Sequence, residues 1–120
     1  MSRTVFRNSQ MTTFTSIEGD WTNTISYTNL YSDNKLTNKI GKYSEYYNTS
    51  EKAGLYLFEG NVCFDDKEKS ALTVGANGIL IPGAFKYNNQ LVFGTGKYLN
   101  KKGTVQTIVK EIVEHIITIN

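Results

Sequence analysis

Two glutamates lie inside segments with strand-like alternation, each beside aromatic residues. Glu45 lies between Tyr43 and Tyr47 on one side of its segment, and Glu59 follows Phe58 in the next segment. A carboxyl group that faces an apolar cavity has its pKa raised by desolvation, so it can act as a general acid or base near neutral pH. Glu45 and Glu59 are therefore the candidate catalytic residues; the alternative is that each points outward to solvent.

Aromatic side chains are the second group that indicates function. The chain has 8 tyrosines, 6 phenylalanines and 1 tryptophan. In a β-protein they either line a cavity, with apolar walls and hydroxyl tips, or fill the core and form cross-strand pairs on the outside. The candidate ligand-binding residues are Trp21, Tyr27, Tyr43, Tyr47, Tyr56 and Phe58.

Nucleophilic and metal chemistry have little support. The chain has 1 histidine, His115, and 1 cysteine, Cys63. A Ser-His-Asp or Cys-His site would have to use His115, and no G-x-S-x-G motif is present. One histidine and one cysteine do not make a zinc site. We predict that His115 is an ordinary strand residue and that no metal is bound. Gly94-Thr95-Gly96-Lys97 lacks the spacing of a phosphate-binding loop and is interpreted as a structural turn.

Length and charge limit the remaining classes. A chain of 120 residues forms one domain, with residues 1–18 as the first strand and its polar lead-in. A formal net charge of +2, without a basic run, gives no reason to expect nucleic acid as a partner. No run is long and apolar enough to span a membrane, and the amino terminus has no apolar signal segment. With one cysteine, these features predict a cytoplasmic protein.

Alternation with period two predicts an all-β protein. Thr4–Asn8 and Thr12–Ile17 are candidate first strands, and Trp21–Tyr31 alternates threonines with aromatic and aliphatic residues. Lys39–Asn48 and Gly54–Phe64 are the next strands along the chain. Threonine, tyrosine, isoleucine and valine favour pleated surfaces.

The second half is predicted to contain a tight hairpin and two terminal strands. Asn77-Gly78 between two β-rich runs, 70–76 and 79–85, is a strong hairpin signal because a type I′ turn needs two positive φ angles. Residues 86–89 are expected to turn again before a strand over 90–94. We predict two final strands, roughly Gly103–Lys110 and Glu114–Ile119, although a four-residue apolar repeat leaves a terminal helix as the alternative.

Four motifs, in order along the chain, resemble the allene oxide cyclase and dirigent β-barrel superfamily from about residue 19 to the end. Leu91–Val105 (LVFGTGKYLNKKGTV) resembles the G-G-T-G-x-Y/F-x-x-x-x-G-x-V signature, with Phe93 in place of the first glycine. The other three motifs are Asn29-Leu30-Tyr31, Lys39-Ile40-Gly41-Lys42, and Asn77-Gly78-Ile79 with Gly83.

This resemblance implies a closed, antiparallel, eight-stranded barrel with an apolar cavity. Members of the superfamily cyclise a fatty-acid epoxide, steer phenoxy-radical coupling or close rings, and many form trimers. The resemblance also implies that no metal or organic cofactor is needed. The family's catalytic residues do not carry over: residues 5–10 offer no acid, and residues 81–90 contain neither aspartate nor arginine.

The segment around Trp21 resembles a second family. Phe14, Ile17, Gly19 and Trp21 match the F-x-x-I-x-G-x-W opening motif of lipocalins, but the later lipocalin motifs are missing. This resemblance implies a barrel that binds a ligand without converting it.

The sequence therefore predicts a single, small, closed β-barrel in meander order that holds a small hydrophobic molecule. The first hypothesis is an isomerase or cyclase without a cofactor. The alternatives are a non-catalytic, lipocalin-like binding barrel and a structural or assembly protein with a packed interior. A homo-oligomer, trimer or dimer, is expected.

Overall fold

The structure is a computed structural model that describes residues 2–120, and it is almost entirely β. One short 3-10 turn, Gly96–Tyr98, follows the seventh strand. The nine strands are β1 (Ser2–Asn8), β2 (Thr12–Glu18), β3 (Trp21–Tyr31), β4 (Lys39–Ser50), β5 (Leu55–Phe64), β6 (Ala71–Ile79), β7 (Lys86–Thr95), β8 (Gly103–Ile108) and β9 (Val113–Ile119).

The strands form one antiparallel sheet that closes on itself. From β3 to β9 each strand pairs with the next in sequence, and β9 pairs with β1 along its whole length. The ring closes where Arg7 of β1 pairs with Tyr31 at the end of β3. β2 continues from β1 and pairs with the first half of β3, so it is an extra strand beside an eight-stranded barrel. The predicted closed barrel in meander order is confirmed.

Arg7 holds the short seam between β1 and β3. Its Nη1 donates a hydrogen bond to the carbonyl oxygen of Ser32, 2.7 Å away, just beyond β3. Its Nε lies 3.5 Å from a carboxylate oxygen of Glu114 on β9. One guanidinium group therefore links β1 to both neighbouring strands, where only one residue pair joins β1 to β3.

The core fills one end of the barrel. Phe64 packs edge-on against Phe6 (ring centroids 5.2 Å apart) and stacks on Tyr98 (5.4 Å), which the 3-10 turn brings under the barrel. Burying these rings provides much of the apolar area that stabilises so small a domain. The buried hydrophobic residues are Phe6, Leu30, Tyr43, Val62, Leu72, Val74, Tyr98, Val105 and Ile117.

The glycines of the Gly94-Thr95-Gly96 motif allow this end to close. A Cβ on Gly94 would lie 2.8 Å from the Cβ of Tyr98, so only glycine lets the turn pack against β7. Gly96 has φ +61 and lies against Ser70, whose Oγ accepts a hydrogen bond from the amide of Lys97 (3.0 Å). The predicted structural turn is thus confirmed.

The predicted hairpin at Asn77-Gly78 is wrong. Both residues lie inside β6, where they pair with Leu57 and Tyr56 of β5, and Gly78 does not have a positive φ. The chain turns later, around Gly83, which has φ +75. Residues 80–85 are therefore a loop, and residues 86–89, expected to turn, begin β7. Pairing with the long strand β5 extends β6 past a favourable turn sequence.

On β3, the face that carries the predicted ligand-binding residue Tyr27 points outward. Ser26 and Leu30 are buried on the inner face, whereas Ile25 and Tyr27 are 44% and 49% exposed on the outer face. The outer aromatics are covered in part by β2, since Phe14 stacks on Tyr27 with ring centroids 6.2 Å apart. At the carboxyl end, β8 and β9 confirm the two predicted strands, and no helix forms there.

Candidate functional site

An interior cavity of about 110 Å³ lies at the end of the barrel opposite the core. Four strands contribute to it: β4, β5, β7 and β8. Its wall is mostly aromatic, and its polar groups are three phenol hydroxyls, the hydroxyl of Thr107 and the amide of Asn89. The lining residues are Tyr47, Tyr56, Phe58, Tyr87, Asn89 and Thr107.

The aromatic wall is built around Tyr47. Its ring lies 6.1 Å from that of Tyr56 and packs edge-on against Phe58 at 6.4 Å, between centroids. The hydroxyl of Tyr87 donates a hydrogen bond to the carbonyl oxygen of Ala84 (2.9 Å) in the loop before β7. Burial raises the pKa of Tyr47, and nearby Tyr87, Tyr56 and Glu45 raise it further, so its phenol stays protonated.

Asn89 supplies the amide. It is 3% exposed and lines the cavity. Among the hydrogen bonds between residues 2 and 120, none involves its side chain. Its amide atoms face the cavity, so this group is available to a bound molecule or to water.

A chain of three side chains runs from the cavity into the core. The Oγ1 of Thr107 lies 3.0 Å from Nδ1 of His115, and Nε2 of His115 lies 2.6 Å from Oδ1 of Asn8. Asn8 and His115 are 0% and 4% exposed. Burial lowers the pKa of His115 from 6.5 to about 4, so the imidazole is neutral at neutral pH.

Glu45 lies beside this cavity, on the inward face of β4 between Tyr43 and Tyr47. Its cross-strand neighbours are Ser26 on β3 and Gly60 on β5. Desolvation raises the pKa of Glu45 from 4.5 to about 7. Near neutral pH the carboxyl is therefore present in both protonation states, as a proton-transfer group requires.

Tyr43 on β4 lies inside the barrel next to the site and contacts His115. Its ring lies 4.8 Å from the imidazole of His115, and the residue is 4% exposed. Burial, and secondarily the charge of Glu45, raises its pKa well above 10.0. Tyr43 is thus a member of the buried core that contacts the polar chain of the site through His115.

The structure brings together only part of the predicted site. Tyr47, Tyr56 and Phe58 line the cavity, while Glu45 and Tyr43 face inward next to it.

The remaining three predicted residues lie elsewhere. Glu59 is exposed on the outer face, where it accepts a hydrogen bond from Asn61 (3.2 Å), because it alternates with inward-facing Phe58 and Gly60. Tyr27 is on the outer face of β3, and Trp21, half-buried, starts that strand at the β2–β3 turn. Glu59, predicted to be catalytic, and Tyr27 and Trp21, predicted to bind the ligand, thus lie outside the lining of the interior cavity.

Sequence reasoning missed the polar part of the site. Asn89 falls in a segment expected to turn, and His115 was expected to be an ordinary strand residue. The pairing of β8 with β9 places Thr107 opposite His115, and that of β7 with β8 places Tyr87 opposite Thr107. With correct strand bounds, period-two alternation would have placed these residues on one inner face.

A larger depression, about 710 Å³, lies on the outside of β4 to β7 and is open to solvent. It contains outward-facing Tyr46, Glu59 and Val92 and is more open to solvent than the interior cavity. Within residues 2–120, no three histidine, cysteine, aspartate or glutamate residues are grouped so that they could hold a metal ion. In the same range, no helix is long and apolar enough to cross a membrane.

The comparisons with known proteins bear on the fold. No family model and no curated protein sequence matches this chain. Among solved structures, the pterocarpan synthase dirigent protein GePTS1 superposes with a TM-score of 0.73 at 19% identity, over 98% of this chain and 84% of that one. A second such dirigent protein, PsPTS1, has a TM-score of 0.72 at 16% identity, over 98% and 92%. Pyocyanin demethylase has a TM-score of 0.73 at 14% identity, over 99% and 100%.

These similarities show that the chain has the dirigent-like barrel fold, as its sequence motifs predicted. The proposed link to allene oxide cyclases stays a prediction. At these identities the similarities establish the fold but not the activity.

Proposed function

We propose that this protein holds a small hydrophobic molecule in the tyrosine-lined cavity and isomerises or cyclises it without a cofactor. The observation that carries the proposal is the partly enclosed cavity of about 110 Å³, walled by Tyr47, Tyr56 and Phe58, with the half-buried carboxyl of Glu45 beside it. An apolar cavity of about 150 Å³ in another protein binds benzene, so this smaller cavity holds at most about one ring of a ligand, with the rest of the molecule outside it.

The proposed mechanism combines orientation with a single proton-transfer group. The aromatic wall fixes the ring, and the phenol of Tyr47 polarises a substituent next to it. A ligand that extends past Tyr47 towards β3 reaches Glu45, which donates or accepts one proton near neutral pH. The names of the structural neighbours, a synthase and a demethylase, support the view that this type of barrel can carry chemistry on small molecules.

A non-catalytic binding barrel is the second candidate. It is favoured by one observation: Glu45 lies next to the cavity lining but is not part of it. In that case the cavity binds its ligand, and Glu45 affects only stability. A solidly packed interior, the third hypothesis, has less support because the packing stops short of this end of the barrel.

Binding is tested first, by native mass spectrometry of freshly purified protein and by melting temperature with single-ring aromatic fragments. Phe58→Trp should fill the space and abolish both the retained ligand and the thermal shift. The control is Leu57→Trp, at a neighbouring position that is 47% exposed on the outside. Equal fragment binding by wild type and Phe58→Trp would place the ligand elsewhere.

Catalysis is tested with Glu45→Gln and, as a matched control, Glu59→Gln. The proteins are incubated with small-molecule extracts, and consumption of any compound is followed by liquid chromatography and mass spectrometry. We expect Glu45→Gln to lose turnover by about 10²-fold or more while still binding, as loss of a general acid or base does, and Glu59→Gln to behave as wild type. Unchanged turnover in Glu45→Gln would leave only the binding function.

A further inference from the structure

Two of the four hydroxyl groups that line the cavity, those of Thr107 and Tyr87, have their hydrogens committed to protein acceptors. This feature follows from a series of hydrogen bonds that begins at a backbone carbonyl in the loop after β1 and ends at Thr107. Each link restricts the next, so the polarity that the cavity presents to a ligand can be derived.

The first link fixes the amide of Asn8. One side-chain amide atom lies 2.7 Å from the carbonyl oxygen of Ser9. A carbonyl can only accept, so this atom must be Nδ2, and Oδ1 must point towards His115. Asn8 is fully buried, so water does not compete for these positions.

The second link fixes the tautomer of His115. Oδ1 of Asn8 can only accept, so Nε2 of His115, 2.6 Å away, must carry the hydrogen. The buried imidazole is neutral at neutral pH, so its other nitrogen, Nδ1, has no hydrogen and is an acceptor.

The third link orients the hydroxyl of Thr107. Its Oγ1 lies 3.0 Å from Nδ1 of His115, and it must donate because Nδ1 can only accept. A hydroxyl has one hydrogen and two lone pairs. Towards anything else, including a molecule in the cavity that Thr107 lines, this oxygen can only accept.

The hydroxyl of Tyr87, on the neighbouring strand β7, has also donated its hydrogen to a protein acceptor. Its hydroxyl donates to the carbonyl of Ala84 at 2.9 Å, so this oxygen too has only lone pairs left. Two of the four hydroxyl groups of the lining therefore offer only acceptors, whereas the hydroxyls of Tyr47 and Tyr56 and the amide of Asn89 can complement either kind of group.

We propose that the cavity selects a compact, mainly apolar ligand that carries an O–H or N–H donor, with Thr107 as the specificity-determining residue. This inference rests on the proposed binding function and adds the chemistry of the ligand. A molecule of the same shape without a donor leaves the lone pairs of Thr107 and Tyr87 unpaired in a buried site, which is costly.

The first test concerns the tautomer and needs no ligand. Because the chain has 1 histidine, a long-range ¹H–¹⁵N spectrum of the protein without a histidine tag reports His115 alone. We expect a protonated Nε2 and an unprotonated Nδ1 at neutral pH. A protonated Nδ1 would overturn the proposal, because Thr107 would then accept from His115 and turn its hydrogen towards the cavity.

The second test compares ligands of matched size by titration calorimetry. Phenol and aniline carry a donor, whereas toluene and fluorobenzene do not. We expect the donors to bind about tenfold more tightly, as one hydrogen bond of about 1.4 kcal/mol provides. Thr107→Val should remove this difference, and Thr107→Ser should keep it.

The outcomes separate this inference from the function on which it rests. If toluene binds wild type as tightly as phenol and Phe58→Trp abolishes both, the cavity is a binding site but the inferred selectivity is wrong. If none of the four compounds binds, the proposed function and this inference both fail. Should Thr107→Val not fold, Thr107→Ser and the wild-type series with the four compounds still decide the question.

Discussion

Burial of the Glu45 carboxyl makes the stability of the fold depend on pH. Its folded-state pKa is raised from 4.5 to about 7, so the folded protein binds its proton more tightly than the unfolded chain does. The contribution of Glu45 to stability is therefore complete below the unfolded pKa and is lost as the pH rises from 4.5 to 7. The full effect above this range is roughly 3 kcal/mol, at about 1.4 kcal/mol for each pKa unit.

Glu45→Gln should remove this loss. We expect the variant to match wild type at about pH 4 and to be more stable by roughly 2–3 kcal/mol at about pH 8, measured by urea denaturation. Glu59→Gln, which changes an exposed side chain on the outer face, should follow wild type at both values. A difference between Glu45→Gln and wild type that does not grow with pH would contradict the burial of this carboxyl.

His115 acts in the opposite direction. Its pKa is lowered from 6.5 to about 4, so its contribution to stability is complete above 6.5 and is lost as the pH falls towards 4. Between 4.5 and 6.5 the two groups offset one another in wild type. In Glu45→Gln the rise in stability with pH that is due to His115 should become visible in the same denaturation series.

At the scale of elements, the turn between β7 and β8 is decided by close packing. Gly94 and Gly96 lie against Tyr98 and Ser70, with no space for a Cβ. By contrast, a Cβ on Gly78 within β6 would meet the ring of Tyr56 at 3.5 Å, an ordinary contact. The two kinds of glycine look alike in the sequence and differ in what surrounds them.

Gly94→Ala should therefore destabilise the protein by roughly 2–4 kcal/mol, whereas Gly78→Ala should cost less than about 1 kcal/mol. Denaturant midpoints of the two variants measure the difference, provided that the dependence on denaturant is unchanged. Equal losses would mean that the turn can move away from β7.

Strand number and strand spans were largely predictable, since alternation identified β3, β4, β5, β8 and β9 to within a few residues. The turn at Asn77-Gly78 was not, because pairing with β5 outweighs a local preference for a turn. The face of β3 was also not predictable from hydrophobicity: its aromatic side faces outward, and its threonine and serine side faces inward. A one-residue change in register exchanges the two faces, and only the neighbouring strands decide it.

At the scale of the whole molecule, the outer surface carries an apolar patch, bordered by Glu59, which pairs with Tyr46. The strand register places Phe14, Ile25 and Tyr46 in one row across β2, β3 and β4, and Tyr27 stacks on Phe14. These four residues are 44–60% exposed. Contiguous apolar surface of this kind marks interaction sites, and a second copy of this chain is the occupant that the dirigent resemblance implies.

We therefore expect a homo-oligomer, a trimer or a dimer, by light scattering at micromolar concentration. Ile25→Lys should convert it to a monomer because a buried, unpaired charge at the contact is costly. Ile81→Lys, in a loop and 66% exposed, is the control and should leave the mass unchanged. A monomeric wild type would contradict the expectation.

The sequence by itself determined that the chain is all-β with its strands in meander order, because period-two alternation is a local property, and its resemblance to the dirigent superfamily implied the closed barrel. It also named three residues that line the cavity and the carboxyl beside it, because aromatic residues that alternate with a glutamate are recognisable in a strand, but it left open which face of each strand points inward. Only the tertiary structure decided that Glu59, Tyr27 and Trp21 lie outside the site and that Asn8, Asn89, Thr107 and His115 form its polar part. Those residues come from β1, β7, β8 and β9, and nothing in the sequence of any one strand records which residues of the others it will face once the barrel closes.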